Sequence, residues 1–213
     1  MRRIPLPVLL CLNIPLLLGA CTTMLPQVSS GDVLFQDDFS RTASGWDRQH
    51  EEDHSIDYLD GGYHISITSP DLIVWGRPHL EFQDVLMHVD VQMLTGSEDN
   101  LFGAICRFQG AQNYIFFTIS SDGFAGIGAV VDGVQQMLHA DAMLPATAVA
   151  PGQQQNHIMA TCIGDELTLS VNGMPILSAN SPLPAGGDVG LLAGSRSETP
   201  VEIRFEHFSV LQP

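Results

Sequence analysis

The chain contains no lysine. All eight of its basic residues are arginine, set against 24 aspartates and glutamates, for a net charge of −16 over 213 residues. A surface with that balance and no basic stripe repels phosphate backbones, which excludes nucleic acid as a partner. It also repels anionic headgroups, so charge cannot hold the chain on a lipid surface. Helical periodicity is missing as well: from Val33 onward no segment repeats apolar residues at three- and four-residue spacing. The one long apolar run, Ile4–Leu18, is shorter than the ~20 residues a membrane-crossing helix needs. Pro5, Pro7 and Pro15 interrupt it further.

That run has the layout of a signal rather than of a fold. Arg2 and Arg3 precede it, and Leu18-Gly19-Ala20-Cys21 closes it with an aliphatic residue, two small residues and a cysteine. The arrangement resembles the signal peptide and lipobox of a bacterial lipoprotein. The resemblance implies that residues 1–20 are removed and that Cys21 is lipidated and becomes the mature N-terminus. Acyl chains on Cys21 then hold the protein to a lipid bilayer, stably when there are two or more. Cys11 follows Val8-Leu9-Leu10 without small residues and leaves with the signal peptide. Residues 21–32 are expected to be the lipidated cysteine and a flexible tether reaching about 18 Å. Thr22 is not the aspartate that retains many lipoproteins at an inner membrane. The expected address is therefore extracytoplasmic, on the outer membrane where the cell has one and otherwise on the cell-membrane surface.

Residues 33–213 read as one all-β domain. Val85, Met87, Val89, Val91 and Met93 alternate with Leu86, His88, Asp90 and Gln92. Ile115, Phe117 and Ile119 alternate with Tyr114, Phe116 and Thr118, and Ile158, Ala160 and Cys162 with Met159 and Thr161. Asp60-Gly61, Asp122-Gly123, Asp132-Gly133 and Asn172-Gly173 supply the positive φ that tight hairpins need. The one long irregular stretch runs over residues 140–155. About a dozen short strands in one domain suggest a two-sheet sandwich.

The order of motifs resembles the concanavalin A-like lectin/glucanase fold, in its laminin G-like and 3-keto-disaccharide-hydrolase-like branches. Leu34-Phe35-Gln36-Asp37-Asp38-Phe39-Ser40 with Ser44-Gly45-Trp46 is similar to the family's first strand and turn. Asp99–Gly103 followed by Cys106-Arg107-Phe108 is similar to its glycine-then-Phe-Arg strand. Asn113–Gly123, Val171-Asn172-Gly173, Val189–Gly194 and Glu202–Val210 follow in the family's order, the last as the closing strand that pairs with the first. The resemblance implies a two-sheet antiparallel jelly-roll sandwich, with Trp46 packed under the first turn.

Chemistry is sparse. His50-Glu51-Glu52-Asp53-His54 matches the H-E-x-x-H pattern of zinc proteases, which requires a helix with an apolar back. Its flanks are too short and too polar for one, and the segment reads as an acidic loop. No strand carries the alternating carboxylates with which laminarinase-like members of the fold act on a glycosidic bond. Cys106 and Cys162 sit in apolar alternating runs. Outside the cytoplasm such a pair invites a disulfide, and a free cysteine packs there equally well as a small hydrophobe.

Alternation turns His88, Asp90 and Gln92 outward, and likewise Arg107, Tyr114 and Phe116. With Trp75 they form the candidate ligand face, expected to converge on a concave surface where rings stack on a sugar and polar groups meet its hydroxyls. Asp37, Asp38 and Glu206 are hard oxygen ligands for a candidate Ca²⁺ near the first and last strands, as in related sandwiches. No other cofactor is expected. The function expected from these features is non-catalytic binding, to a glycan of the envelope or its surroundings. The alternatives are a structural or envelope-protein-binding sandwich without a sugar site, and a glycoside-cleaving enzyme of the 3-keto-disaccharide-hydrolase type.

Overall fold

The computed structural model describes residues 29–213. Cys21 and the signal segment lie outside the described residues. The first strands are β1 (Val33–Asp37), β2 (Gln49–His50), β3 (His54–Leu59), β4 (Gly62–Ile67), β5 (Ile73–Gly76) and β6 (Val85–Thr95). They are followed by β7 (Asn100–Gly110), β8 (Asn113–Ile119), β9 (Phe124–Val131), β10 (Val134–Met137) and β11 (Leu144–Pro145). The last are β12 (Asn156–Ile163), β13 (Glu166–Val171), β14 (Met174–Asn180), β15 (Asp188–Ser195) and β16 (Val201–Leu211). No helix occurs among the described residues.

The strands form two antiparallel sheets. Sheet A has nine strands in the order β14-β13-β12-β6-β16-β4-β3-β2, with β1 also pairing β16. Sheet B has seven, in the order β10-β9-β8-β7-β15-β5, with β11 on β9. The closing strand β16 lies along β6 on one side. On the other it meets β4 through Val201–Phe205 and β1 through Phe208–Leu211. Gly31 and Asp32 extend this first-to-last pairing through main-chain hydrogen bonds with Gln212.

Three of the expected tight turns have both central residues at positive φ: Asp60-Gly61, Asp132-Gly133 and Asn172-Gly173. This is the twist that matches a two-residue hairpin. At Asp122-Gly123 only the glycine is left-handed, and the turn widens to span Ser120–Phe124.

Alternation delivers one continuous core. Val85, Met87, Val89, Val91 and Met93 of β6 face Phe102, Ala104, Ile115, Phe117 and Ile127 of sheet B, all of them buried. At one end Phe39, Trp46, Tyr58, Tyr63 and Phe208 gather in edge-to-face, tilted and stacked pairs, with Trp46 and Phe39 ring centroids 5.3 Å apart. Cys106 of β7 is bonded to Cys162 of β12, so a disulfide crosses from one sheet to the other. Among the described residues, both sheets, the core and the disulfide are formed by residues 33–211.

Candidate functional site

The outer faces of the two sheets are chemically unlike. Sheet B carries a second apolar layer, formed by Leu101, Ile105, Tyr114, Phe116, Val130 and Leu192, with Ile73, Trp75, Phe108 and Met137 packed against it. Trp75, Phe108 and Tyr114 make an aromatic platform: their ring centroids are 5.7 Å (Trp75–Tyr114), 5.6 Å (Phe108–Tyr114) and 6.2 Å (Trp75–Phe108) apart. Phe116 continues it at 6.2 Å from Tyr114. Gly128 keeps the floor low. A Cβ there would collide with the Phe116 ring, so the missing side chain lets that ring lie flat across β9.

Two polar tips on this platform are unpaired. Neither the Tyr114 hydroxyl nor the Trp75 indole N–H has a hydrogen-bond partner among the described residues, and both tips reach solvent at the edge of the aromatic layer. Burial pushes the Tyr114 hydroxyl pKa up, so it stays a neutral donor. Arg77 closes one end. Its guanidinium lies 4.1 Å over the Phe108 ring and bonds the Asp188 carboxylate at 3.0 Å. Burial raises the Asp188 pKa, against the pull of the Leu80 and Val189 N–H groups and of Arg77.

At the other end of the face a cleft of about 480 Å³ opens over Leu101, Phe116 and Thr118. Met137 and Met143 form one wall, and Asp99, Asp122 and Arg196 stand at its lip. Asn100 also lines it but is committed elsewhere, bonded through Nδ2 to Ser97 O at 2.7 Å and through Oδ1 to the Ser121 N–H at 3.0 Å. The outward positions of β7, β8 and β9 are Leu101, Gly103, Ile105, Tyr114, Phe116, Thr118, Gly126, Gly128 and Val130. None is a carboxylate.

Sheet A is polar outside. His88, Asp90 and Gln92 face out from β6 as alternation requires, half-buried. They do not meet Trp75, Tyr114 and Phe116. β6 belongs to one sheet and β5 and β8 to the other, so the two outward sets point to opposite sides of the sandwich. The expected single ligand face is therefore two faces. Gln92 is tied to the Gln153 carbonyl at 2.7 Å. Asp90 sits between His157 of β12 and His207 of β16. Burial and the neighbouring His157 lower the His88 pKa, keeping that ring neutral near pH 7.

Arg107 departs from the expectation in a different way. It is 2% exposed and adopts φ 52°, at a register shift in the β7–β8 pairing. A left-handed residue at a bulge re-aims its side chain. The guanidinium bonds the Leu183 carbonyl at 2.9 Å and also the Gly164 carbonyl, so it staples loops rather than facing a ligand.

The candidate calcium residues do not gather. Asp37 and Asp38 line a cleft with Ser40 and His207, whereas Glu206 bonds Arg204 at 2.5 Å on the outer face of sheet A. Asp37 Oδ1 accepts the Phe39 N–H at 2.8 Å, and Asp38 Oδ1 accepts the Ser40 hydroxyl at 2.7 Å. His50 ends β2 and His54 opens β3, the two strands of a short hairpin and not a helix. His50 bonds Asp57 at 3.0 Å, while His54 bonds Asp53 at 2.8 Å and Gln49 at 3.0 Å. Among the described residues no group of three or more His, Cys, Asp or Glu side chains is placed around a common metal position.

Sequence reasoning missed Phe108, Arg77, His157 and His207. Phe108 follows a bulge that breaks simple alternation, and His207 sits on another, at φ 49°. His157 was within reach, since it shares its parity with Met159 and Thr161 on β12.

No protein-family model and no curated protein sequence matches the chain. Solved structures do. The fold is similar to a carbohydrate-binding module from Bacillus subtilis, at TM-score 0.59 and 12% identity, covering 76% of this chain and 95% of that one. It is similar to a Bacillus licheniformis β-glucanase, at TM-score 0.63 and 11% identity over 87% of this chain and all (100%) of that one. A Bacillus subtilis protein of unknown function with a galectin-like fold matches at TM-score 0.62 and 13% identity, covering 87% and 98%. At these identities the likeness is one of fold: the chain is an all-β, two-sheet antiparallel jelly-roll sandwich of the concanavalin A-like class.

Proposed function

We propose that this protein is a lipid-anchored, extracytoplasmic module that binds carbohydrate on the outer face of sheet B without cleaving it. The observation that carries this reading is the aromatic platform of Trp75, Phe108 and Tyr114 with its unpaired hydroxyl and indole N–H. Sugar rings present apolar C–H faces to aromatic rings and hydroxyls to polar tips, and this platform offers both. The neighbouring cleft, with its methionine wall and Asp99, Asp122 and Arg196 at the lip, extends the surface along a chain of sugars.

Cleavage of a glycosidic bond needs two carboxylates flanking it. The outward positions of β7, β8 and β9 hold none, and the carboxylates that line the cleft, Asp99, Asp122 and Asp141, stand on loops rather than alternating along one strand, which supports binding over hydrolysis. The Leu18-Gly19-Ala20-Cys21 motif supports the lipid anchor, with the outer membrane as the expected address where the cell has one.

The test is a glycan array probed with the folded domain, residues 29–213. Saturable binding to one sugar class that Trp75→Ala and Tyr114→Ala abolish, and His88→Ala leaves intact, is the expected result. Silence across the array from a folded domain moves the reading to a structural or protein-binding sandwich.

A further inference from the structure

The outer face of sheet A holds an unbroken hydrogen-bonded chain of three histidines and one aspartate from three adjacent strands. Asp90 Oδ1 lies 2.7 Å from His157 Nδ1, and Asp90 Oδ2 lies 3.1 Å from His207 Nδ1. His157 Nε2 lies 3.0 Å from His88 Nδ1. An ionised carboxylate only accepts, so the hydrogen on His157 sits on Nδ1 and its Nε2 lone pair is aimed at His88. This is how a metal-ligating histidine is prepared: one ring nitrogen donates to a carboxylate and the other is left free.

We propose that His88 Nδ1 and His157 Nε2 together bind a divalent transition-metal ion of the zinc, nickel or copper class, with Asp90 as the outer carboxylate that positions His157. Two imidazole nitrogens at ~2.0–2.1 Å from a tetrahedral ion stand roughly 3.3 Å apart. The observed 3.0 Å is a few tenths short of that. In the metal-free chain a hydrogen lies between the two nitrogens. Ion binding moves it to His88 Nε2, the other tautomer, and the rings turn to aim both lone pairs at the ion. The His157 side chain is 44% exposed, so the core does not obstruct that turn. His207, on the second carboxylate oxygen, holds Asp90 in place. Water fills the remaining coordination positions, which leaves the site open to solvent.

The sequence pattern that advertises zinc lies elsewhere and is not the site. The rings of His50 and His54 are engaged by separate partners, Asp57 for the first and Asp53 and Gln49 for the second. The proposed site also lies on the sheet opposite the aromatic platform, so its fate is independent of the glycan reading.

The experiment is calorimetric titration of residues 29–213 with ZnCl₂ and with NiCl₂ at pH 7.5, alongside histidine side-chain NMR. In this domain both cysteines are bonded to each other, so no thiol competes for the metal. The expected result is one ion per chain with shifts at His88 and His157. His88→Ala and His157→Ala should each weaken binding at least tenfold, and Asp90→Asn about 10–100-fold. His54→Ala leaves it unchanged. The proposal is overturned by absence of binding from the folded domain, by binding that survives His88→Ala and His157→Ala, by loss on His54→Ala, or by several equivalent weak ions per chain. Thermal melts of each variant separate lost ligation from lost fold.

Discussion

Cys106 on β7 and Cys162 on β12 form a covalent bond between the two sheets, with their Cα atoms 6.9 Å apart and a sequence separation of 56. A cross-link closing a loop of that length removes much of the freedom of the unfolded chain. Loop-closure entropy puts its contribution at about 4 kcal/mol. The double variant Cys106→Ala/Cys162→Ala is expected to lose about 2–4 kcal/mol in urea unfolding while keeping the same strand content by circular dichroism. An unchanged unfolding midpoint would mean that the bond constrains nothing the core does not already fix.

Arg107 is the second tie between the sheets. Its buried guanidinium reaches from β7 to the Gly164 carbonyl in the β12–β13 turn and to the Leu183 carbonyl beyond β14. Hydrogen bonds to a charged group contribute about 1.5–3 kcal/mol each; without the guanidinium the Leu183 carbonyl keeps only the Ser181 hydroxyl, at 2.8 Å, and the Gly164 carbonyl turns to solvent. Arg107→Met keeps the stem and deletes the donors. It is expected to lower the thermal midpoint by about 5–15 °C, the range for a domain of this size losing a few kcal/mol. Glycan binding by the folded fraction should be unchanged, and a specific loss of binding would return Arg107 to the ligand face.

Asp57 gives the domain a share of its acid sensitivity. Its carboxylate takes the Arg48 Nε–H at 2.6 Å and the Nη2–H at 3.2 Å, and His50 Nε2 lies 3.0 Å away. The Arg48 hydrogen bonds hold its pKa below the usual carboxylate value. A group with a lowered folded-state pKa contributes stability above its unfolded value, and that contribution is lost as pH falls through the folded one. Asp57→Asn is therefore expected to unfold at a lower urea concentration than the parent at pH 7. The gap should be small, because the pair is exposed and screened, and should close once pH drops well under about 4. Urea midpoints at pH 7, 5 and 3 check this, and a gap that does not narrow between pH 5 and pH 3 contradicts it.

How far the fold could be read in advance follows from what alternation encodes. Period two told which side chains of β6, β8 and β12 face the core, because a buried face demands apolar residues at every second position. The Asp-Gly and Asn-Gly pairs marked the hairpins, since few other residues accept positive φ. Alternation carries no information about which sheet a strand joins. His88 and Tyr114 were both correctly outward, yet they lie on opposite sides of the molecule because β6 pairs with β12 and β16 while β8 pairs with β7 and β9. Bulges were the other blind spot. At Arg107 and His207 the backbone turns left-handed inside a strand, and parity then predicts the wrong direction or none. The His88–His157 contact depends on the β6–β12 register, which long-range pairing sets and local sequence does not show.

Tyr114→Phe separates a ligand-binding hydroxyl from a structural ring. The ring packs against Trp75, Phe108 and Phe116, and phenylalanine preserves those contacts. The hydroxyl has no partner among the described residues, so its removal orphans nothing, and stability is expected to stay within about 0.5 kcal/mol of the parent. If a sugar hydroxyl supplies the missing partner, the substitution deletes one hydrogen bond of about 0.5–1.5 kcal/mol. Affinity for the glycan class found on the array then falls by roughly 2- to 12-fold. Tyr114→Leu, which also removes the stacking surface, should fall further. Calorimetric titration of both variants against the same oligosaccharide gives the order parent, phenylalanine, leucine. Equal affinity for parent and phenylalanine would leave the ring as the only contributor and send the search for the polar contact to the Trp75 indole and the Thr118 hydroxyl.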